Sequence, residues 1–467
     1  YITLHVENFA RIRKADIELA PLTLFVGDNN SGKSYLASLI WGVLNLEFYS
    51  GVASPNKEEF KDLNDWICES MKQGKGTYRR KIKADDHQLI NKFINIFLDK
   101  NKERLVNTTL HSSADIGHIA LDIPFDESLS FVMNINNGFM ENGDPNGNQK
   151  IEFFIAQNDD KVSPTFSCTN RDDVLQSLVA VYLLFFLKKK TSFFPASRTA
   201  FLLAFRSIIG ESLDRRFFPQ QGGDKEKDYK LSSPRASFVR LISDFDKDKK
   251  KFMCQCNKNT DSIVEFIEKH VIHGQIDLTD TPIPDIVYRP EGFDEYLPMY
   301  LSSSIVTEIA PFLACLKYDN IGDRCIIEEP EISLHPGLQW KMAQVLIRIV
   351  NSICPVIVST HSDTIIQHVN NMIKLANRDD GLELAKEYDY ENEDIISSDK
   401  IRVYQFDVDL KDHLTDVKLM EHGYNGFRVP TFGVMIREIH DQIWAFQIDV
   451  DEENAKKKNN QFPSNAT

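Results

Sequence analysis

The chain has 467 residues, of which 42% are hydrophobic, and its formal net charge is −15. This composition predicts a globular protein whose large core is divided into two or three lobes. The acidic balance disfavours non-specific nucleic-acid binding by the surface as a whole, although a local basic patch could still bind DNA. The seven scattered cysteines are odd in number, which disfavours a disulfide framework and predicts a reducing, cytoplasmic location.

Two short strands are predicted near the N-terminus, at residues 2–6 and 15–19, with a turn at Asn8 and Phe9. The apolar run at residues 22–26 that follows is typical of a strand buried on both faces. We therefore expect an antiparallel β layer beside a mainly parallel α/β sheet.

The turn after this run fits the phosphate-binding pattern G-x-x-x-x-G-K-[ST] at every fixed position. Backbone N–H groups of such a loop and of the next helix form an anion site, Lys33 can reach the outer phosphates, and the Ser34 hydroxyl can ligate Mg²⁺. The motif predicts a nucleoside-triphosphate site with contacts from Gly27, Asn29, Asn30, Ser31, Gly32, Lys33, Ser34 and Tyr35.

The middle of the chain mixes helical and strand patterns. Residues 55–104 are charged and helical, with apolar residues three and four apart. Residues 129–133 and 151–155 alternate like strands around an Asn- and Gly-rich turn. The apolar run at 178–187 is too short to span a bilayer, so it predicts a buried helix and no membrane partner. No heptad pattern persists long enough for a coiled coil.

A loosely zinc-like spacing occurs at Cys254, Cys256, His270 and His273. Cys-x-Cys is not the usual zinc knuckle, and the intervening residues have the pattern of an amphipathic helix. We interpret the group as core thiols and surface histidines, with a metal site as the alternative.

The second chemical element is an apolar run that ends in two acids, Glu328 and Glu329. A buried strand of this kind delivers carboxylates to the edge of an open α/β sheet where ligands bind. In phosphoryl transfer one acid holds Mg²⁺ and the next orients or deprotonates the attacking water. We assign the ion to Glu328, whose longer side chain replaces the usual Asp, and the water to Glu329.

A third apolar run, at residues 355–358, becomes polar at Ser359, Thr360 and His361. An imidazole at that edge can hydrogen-bond a γ-phosphate and sense its loss. Because this run comes one helix after the paired acids, we predict that His361 is part of the same site.

These motifs together resemble the ATP-binding-cassette ATPases of the SMC-like and OLD-like branch, among the bacterial AAA family ATPases. The segment from Phe194 to Arg198 and the run from Glu328 to Pro336 are similar to segments of that branch. The resemblance implies an α/β P-loop NTPase of ABC-head type, with a mixed sheet, an antiparallel β layer and a helical lobe. It also implies ATP and Mg²⁺ as cofactors and head-to-head dimers.

In such dimers a signature loop of one subunit caps the ATP bound to the other. The candidate here is Ser302, Ser303 and Ser304, because small hydroxyl residues at a helix N-terminus suit a γ-phosphate. The usual Ser-Gly-Gly is absent, so the contacting serine stays open.

The motifs span residues 4 to 362, and the segment from about 401, with a strand at 403–406 and a helix at 431–443, resembles the end of the same unit. We expect one ATPase unit over residues 1–467. Its parts are an N-terminal β layer with the P-loop (1–50), a helical and β-meander insert (51–190), a helical lobe (191–300), and a part with the signature, acids, histidine and C-terminal segment (301–467).

The predicted biological role depends on which parts of SMC-like and OLD-like ATPases have no counterpart in this sequence. The insert is too short for SMC coiled coils, and too few residues follow His361 for the Toprim nuclease of OLD proteins; Asp407 and Asp409 are isolated. The resemblance implies a sensor or regulatory subunit of an anti-phage defence complex with a separate effector, a nuclease or a toxin. The alternatives are a DNA-maintenance ATPase that clamps DNA and a scaffold that holds ATP with little turnover.

Overall fold

The computed structural model describes residues 1–46, 55–136, 150–158, 160–163, 165–168, 173–187, 190–204, 231–245, 258–281, 284–318, 320–423, 426–429, 438, 441–444 and 446. The strands in this part of the chain are β1 Thr3–Phe9, β2 Ile12–Glu18, β3 Leu22–Gly27, β4 Gly76–Lys81, β5 His118–Asp122, β6 Leu129–Asn136, β7 Lys150–Gln157, β8 Asp160–Lys161, β9 Phe166–Cys168, β10 Thr191–Phe194, β11 Gly274–Leu278, β12 Ile286–Pro290, β13 Leu297–Pro298, β14 Arg324–Glu328, β15 Val356–Thr360, β16 Ile401–Val408 and β17 Thr415–Leu419. The helices are α1 Lys33–Leu44, α2 Lys61–Gln73, α3 Ala84–Leu110, α4 Val174–Leu187, α5 Ser233–Ser243, α6 Lys258–His270, α7 Ser304–Lys317, α8 Pro336–Ser352, α9 Asp363–Ala376 and α10 Gly381–Glu387.

A nine-stranded sheet organises the chain, in the order β10-β14-β15-β3-β16-β17-β2-β1-β5. The first five strands are parallel to one another and form what we call the parallel half. β17 runs antiparallel to β16 and parallel to β2. The last three strands, β2, β1 and β5, pair antiparallel and form the antiparallel margin. The predicted α/β fold with a mixed sheet is confirmed, and its antiparallel strands lie within the same sheet.

Side chains of the parallel half alternate between two hydrophobic cores, one on each face of the sheet. On β3, Leu24 and Val26 belong to the first core, whereas Phe25 belongs to the second. On β14, Ile327 and Ile326 divide in the same way. Because both faces are covered, such strands are continuously apolar in sequence.

The insert contains a smaller sheet in which β4, β6, β7 and β8 are neighbours and β9 pairs with β7. The two strands predicted from alternation at 129–133 and 151–155 are β6 and β7, and they pair antiparallel with Phe131 opposite Ile155. The predicted helix at 178–187 is part of α4, whose apolar side chains lie in the second core. No helix among the described residues has both the length and the apolar character needed to cross a membrane.

Residues 191–300 contain strands as well as helices. β10 lies at the edge of the main sheet, and β11, β12 and β13 form a sheet of three strands that packs against α6 and α7. The first core runs from Leu22 to Val429, so it includes side chains from several of the predicted parts of the chain. The strand predicted at 403–406 is within β16. The helix predicted at 431–443 falls mostly outside the described residues.

Candidate functional site

Two glycines shape the loop between β3 and α1. Gly27 has a φ of +135°, and a Cβ there would lie 2.5 Å from the carbonyl oxygen of Phe406, so the position requires glycine. Gly32 has a φ of +99° and is the N-cap of α1, where no described side chain makes a capping hydrogen bond. The first N–H groups of α1 therefore lack a side-chain acceptor, which is the arrangement that binds anions.

Lys33 folds its side chain back into this loop. Its Nζ donates hydrogen bonds to the carbonyl oxygens of Gly27 (2.9 Å) and Asp28 (2.7 Å) and to Oγ of Ser31 (3.2 Å). Burial lowers the pKa of Lys33 to about 8, against the opposing effect of nearby carboxylates, Glu329 first. At neutral pH the loop therefore surrounds a protonated amine.

The other predicted nucleotide contacts lie at the rim of the loop. Asn29 and Asn30 are exposed, and the backbone oxygen of Asn30 accepts a hydrogen bond from Nη1 of Arg11 at 3.1 Å. Tyr35, one residue after Ser34, is exposed on the first turn of α1. The structure thus places these side chains where solvent reaches them.

The carboxyl ends of β14, β15 and β3 meet beside this loop. Glu328 is in register with Ser359, which is in register with Phe25. The N–H of Glu329 donates to the carbonyl oxygen of Ser359 at 2.8 Å. Parallel strands that end at one edge thereby bring residues that are distant in sequence into one site. We name this group the carboxyl-end cluster, consisting of Lys33, Ser34, Glu328, Glu329, Glu331 and His361.

Glu328 is the most deeply buried acid of the cluster, with 1% exposure. One of its oxygens, Oε2, accepts from the N–H of Ala196 at 3.3 Å and lies 4.0 Å from Nη2 of Arg235. Its other oxygen, Oε1, has no hydrogen-bond partner within the described part of the chain. Burial raises the pKa of Glu328, and the neighbouring hydroxyl of Ser34 is the first influence that opposes it.

These features fit the predicted Mg²⁺ ion. A buried carboxylate oxygen without a partner and an adjacent hydroxyl are oxygen ligands of the kind Mg²⁺ takes, with substrate phosphates and water completing its shell. The described residues contain no group of three or more His, Cys, Asp or Glu side chains able to hold a metal. The donor set of Ser34 and Glu328 therefore suits an ion brought with a nucleotide better than a permanently caged one.

Glu329 and His361 face one another across the cluster. His361 Nε2 lies 3.8 Å from Oε1 of Glu329, and both side chains are about one-third exposed or less. Glu329 has a φ of +44°, a left-handed conformation that is uncommon outside glycine. Burial, followed by the charge of Lys33, lowers the pKa of His361, so the imidazole is neutral at pH 7.

Glu331 is a third acid of the cluster, to which the sequence patterns assigned no role. Its Oε1 accepts from the N–H of His361 at 2.6 Å, and its Oε2 is buried without a partner among the described residues. Burial raises the pKa of Glu331. This acid therefore fixes the backbone from which the His361 ring projects.

The three candidate signature serines lie at the start of α7. Ser303 is the N-cap of α7, Ser304 is its first residue, and both are exposed. Ser302 Oγ donates to the carbonyl oxygen of Pro298 at 3.4 Å. In the described residues no hydrogen bond connects the three to the P-loop.

Two arginines near the cluster were not recognised as site residues. Arg235 on α5 approaches Glu328, and no sequence pattern pointed to it. Arg198 is buried and donates to the backbone oxygens of Glu328 and Glu329. The sequence contained a signal for Arg198, because an arginine that shortly follows the buried strand β10 is expected to lie close to the core.

The alternative metal group lies only partly within the described residues. Cys254 and Cys256 lie outside the described residues. His270 is at the end of α6 with its ring 4.8 Å from that of Phe266, and His273 lies three residues later with a φ of +48°. His270 is thus the last residue of α6, and His273 lies in the turn between α6 and β11.

A family model described as "AAA ATPase domain" matches residues 2–366. No curated protein matches the chain. Among solved structures, the SMC head bound to the C-winged helix domain of ScpA has a TM-score of 0.37 and 14% identity, over 90% of this chain and 98% of that one. The SMC head domain from Thermotoga maritima has a TM-score of 0.32 and 9% identity, over 90% and 98%. An Smc head with an extended coiled coil, bound to the C-terminal domain of ScpA derived from Pyrococcus furiosus, has a TM-score of 0.34 and 13% identity, over 94% and 99%.

Proposed function

Because the chain belongs to the AAA ATPase domain family, we propose that it binds ATP with Mg²⁺ at the carboxyl-end cluster and hydrolyses it there. The observation that carries this proposal is the meeting of Lys33, Glu329 and His361 at one sheet edge. Lys33 is the buried cation of the loop, and Nε2 of His361 lies 3.8 Å from a Glu329 carboxylate oxygen. Phosphoryl transfer to water uses a cation at the phosphates and a group that orients the water, and a neutral imidazole can hydrogen-bond the terminal phosphate.

Each residue has a separate task in this reaction. The N–H groups of the loop and of α1 bind the phosphates, and Lys33 neutralises their charge. Ser34 and Glu328 hold the Mg²⁺ ion, which stabilises the charge on the phosphate oxygens when it is bound. Glu329 orients the attacking water and accepts its proton.

His361 is placed to report on the terminal phosphate. Its neutral imidazole can donate a hydrogen bond to a γ-phosphate oxygen, and that bond is lost after hydrolysis. We propose that the ATP-bound form closes into a head-to-head dimer, in which Ser302, Ser303 and Ser304 of one subunit cap the nucleotide of the other. The exposure of Ser303 and Ser304 at the start of α7 supports this role, because they are free to meet a second copy.

The biological role that we propose is a sensor or regulatory subunit of a cytoplasmic anti-phage defence complex with a separate nuclease or toxin effector. It is supported by the resemblance of the motifs to SMC-like and OLD-like ATPases. Bacteria that carry this chain together with its neighbouring gene should survive phage infection better than bacteria that carry either gene alone. Protection that is unchanged by Glu329→Gln would contradict a role that depends on hydrolysis.

The ATPase proposal is tested by measuring phosphate release by the purified chain with Mg²⁺ and with a chelator. We expect turnover of ATP only with Mg²⁺. When ATP is bound but not hydrolysed, as in Glu329→Gln, the protein should have a larger sedimentation coefficient because it is dimeric. Tight ATP binding with no release in Mg²⁺ would support the scaffold alternative. Turnover that is strongly stimulated by DNA ends would support the DNA-maintenance alternative.

A further inference from the structure

A buried arginine connects the backbone of Glu328 and Glu329 to the helix that begins at the signature serines. Arg198 is 2% exposed. Its Nη1 donates to the carbonyl oxygen of Glu328 at 2.8 Å, and its Nη2 donates to that of Glu329 at 3.3 Å. Its Nε donates to the carbonyl oxygen of Glu308 at 3.0 Å and lies 3.3 Å from Oε2 of the same residue. All three guanidinium nitrogens are therefore used.

Glu329, one of the two acids that Arg198 contacts, has an unfavourable backbone conformation. Glu329 has a φ of +44°, which a residue with a Cβ adopts only when its surroundings impose it. Its N–H is held by the carbonyl oxygen of Ser359 at 2.8 Å, and its own carbonyl oxygen is held by Arg198. The direction in which the Glu329 carboxylate projects is thus set from both sides of the residue.

The other end of the connection lies on α7. Glu308 is one turn after Ser304, and its Oε1 accepts from the N–H of Thr199 at 3.2 Å. The hydroxyls of Thr199 and Thr307 are 2.9 Å apart. Arg198 and Thr199 therefore contact the first turns of the helix whose exposed N-terminus carries the signature serines.

We propose that Arg198 is a positioning residue that couples the placement of α7 to the orientation of the Glu329 carboxylate. The inference relies on the proposed function, in which Glu329 serves the attacking water and a second copy contacts Ser302 to Ser304. A planar guanidinium with fixed donor directions transmits a shift of α7 to the acids, because it cannot keep its bonds to both while only one moves. Closure of the dimer on α7 then completes the alignment of Glu329.

A second buried arginine provides a matched control. Arg348 on α8 is 5% exposed, and its Nε lies 2.6 Å from Oδ1 of the fully buried Asp394. It has no hydrogen bond to the carboxyl-end cluster within the described residues. Replacing either arginine by lysine keeps a positive charge and removes a buried planar fork, so both changes perturb the core in a similar way.

The test compares Arg198→Lys with Arg348→Lys well below the melting temperature of each variant. For Arg198→Lys we expect kcat to fall by about tenfold or more, since misplacing a catalytic group by less than an ångström is enough for such a loss. Its KM and its affinity for ATP should stay within about threefold of the parent, because Lys33 and the loop are untouched. Arg348→Lys should keep the parent kcat. Parental kcat in folded Arg198→Lys, or equal losses in both variants, would overturn the proposal.

A double variant separates positioning from a general structural effect. If Arg198 acts through the Glu329 carboxylate, adding Arg198→Lys to Glu329→Gln should lower kcat by no more than about twofold further. Losses that multiply would show that Arg198 acts by another route. If Arg198→Lys does not fold, Glu308→Gln replaces it: we expect a reduced kcat with parental ATP affinity, and an unchanged kcat overturns the coupling.

The two levels of inference fail differently. If Glu329→Gln itself turns over ATP like the parent, the proposed function has the wrong water-activating residue. If Glu329→Gln is inactive while Arg198→Lys and Glu308→Gln are both fully active, only the coupling is wrong.

Discussion

Polar side chains are paired differently in the antiparallel margin and in the parallel half of the main sheet. In the antiparallel margin, charges pair with one another near the surface: Arg13 lies 2.7 Å from Asp412 and 2.6 Å from Asp416, and Lys14 lies 3.4 Å from Asp16. In the parallel half, the ends of β14 and β15 carry buried oxygens that have no partner among the described residues. These are Glu328 Oε1, Glu331 Oε2 and Ser359 Oγ.

We interpret this difference as one between polar groups that support the fold and polar groups that serve the proposed nucleotide site. Exposed ion pairs contribute little to stability, because water and salt screen them. A buried polar atom without a partner costs about 1–3 kcal/mol, so three such oxygens at one sheet edge indicate a use other than stability. Changes in the carboxyl-end cluster should therefore affect ATP chemistry strongly, and similar changes in the margin should not.

The largest effect is expected from Lys33→Ala. The variant removes the fixed cation of the loop, so ATP affinity should fall by at least about 100-fold, the equivalent of a charge-assisted contact or more. Arg13→Ala removes an exposed cation from the margin and should leave the affinity within about twofold. Calorimetry measures the ATP affinity of both variants, and circular dichroism verifies that they are folded. Unchanged affinity in a folded Lys33→Ala variant would refute the nucleotide assignment.

The next largest effect is on hydrolysis. Glu329→Gln keeps the shape of the side chain but cannot accept a proton, so kcat should fall by about 100-fold while ATP binding is retained. The ATP-bound dimer should then accumulate in sedimentation experiments. Asp16→Asn is the matched change of an acid to an amide in the margin, and it should keep the parent kcat. Turnover by Glu329→Gln within a few-fold of the parent would assign the base to another residue, first Glu328.

The effect of pH on ATP affinity should be smaller than the effects of these two substitutions, and the affinity should only decrease as pH increases. The pKa of Lys33 is about 8 without nucleotide, because burial lowers it, and bound phosphates raise it. Above pH 8 the free protein has lost a proton that the complex holds, so binding takes up a proton and affinity decreases as pH increases. Between pH 8.5 and 9.5 the loss should approach about tenfold. Titrations of Lys33→Arg, whose guanidinium stays charged, should lack this loss; identical profiles would contradict the assignment.

The smallest expected signal comes from mixing two defective variants. Ser303→Arg should spoil capping of the partner's nucleotide, and Lys33→Ala spoils binding in its own loop. A mixed head-to-head dimer then has one site with both defects and one with neither. Random exchange in equal amounts should restore about a quarter of the parent activity. If heterodimers form and stay inactive, either the two ATP sites do not act independently or Ser303 does not cap the partner's nucleotide.

Several elements of the fold and site were predictable because their signals are local. Loops with the pattern found from Gly27 to Ser34 bind phosphate through consecutive N–H groups, so one short motif contains the whole predicted site. The buried strands β3, β14 and β15 are apolar runs that end abruptly in polar residues, which pointed to Glu328, Glu329 and His361. The roles of those residues remain predictions, whereas the α/β P-loop fold and the membership of the ATPase family are confirmed.

Other features could not be predicted in full, because they depend on contacts between residues that are distant in sequence. Arg198 reaches acids 130 positions later through the pairing of β10 with β14. The apolar pattern of α3 indicated the helix but not its buried face: Leu89 and Phe93 are half-buried, whereas Ile90 and Ile94 are fully buried. A spacing of three and four residues fits either face, and only the neighbouring elements select one.

The sequence by itself determined the chemistry of each strand end: which side chains are cations, acids or imidazoles, and which short segment can cradle a phosphate. The tertiary structure decided which of these groups meet. The strand order places β15 between β14 and β3, so that His361 lies beside both Glu329 and the loop of Lys33. That order results from the burial of two cores on opposite faces of the sheet, a property of the whole chain that no local pattern encodes.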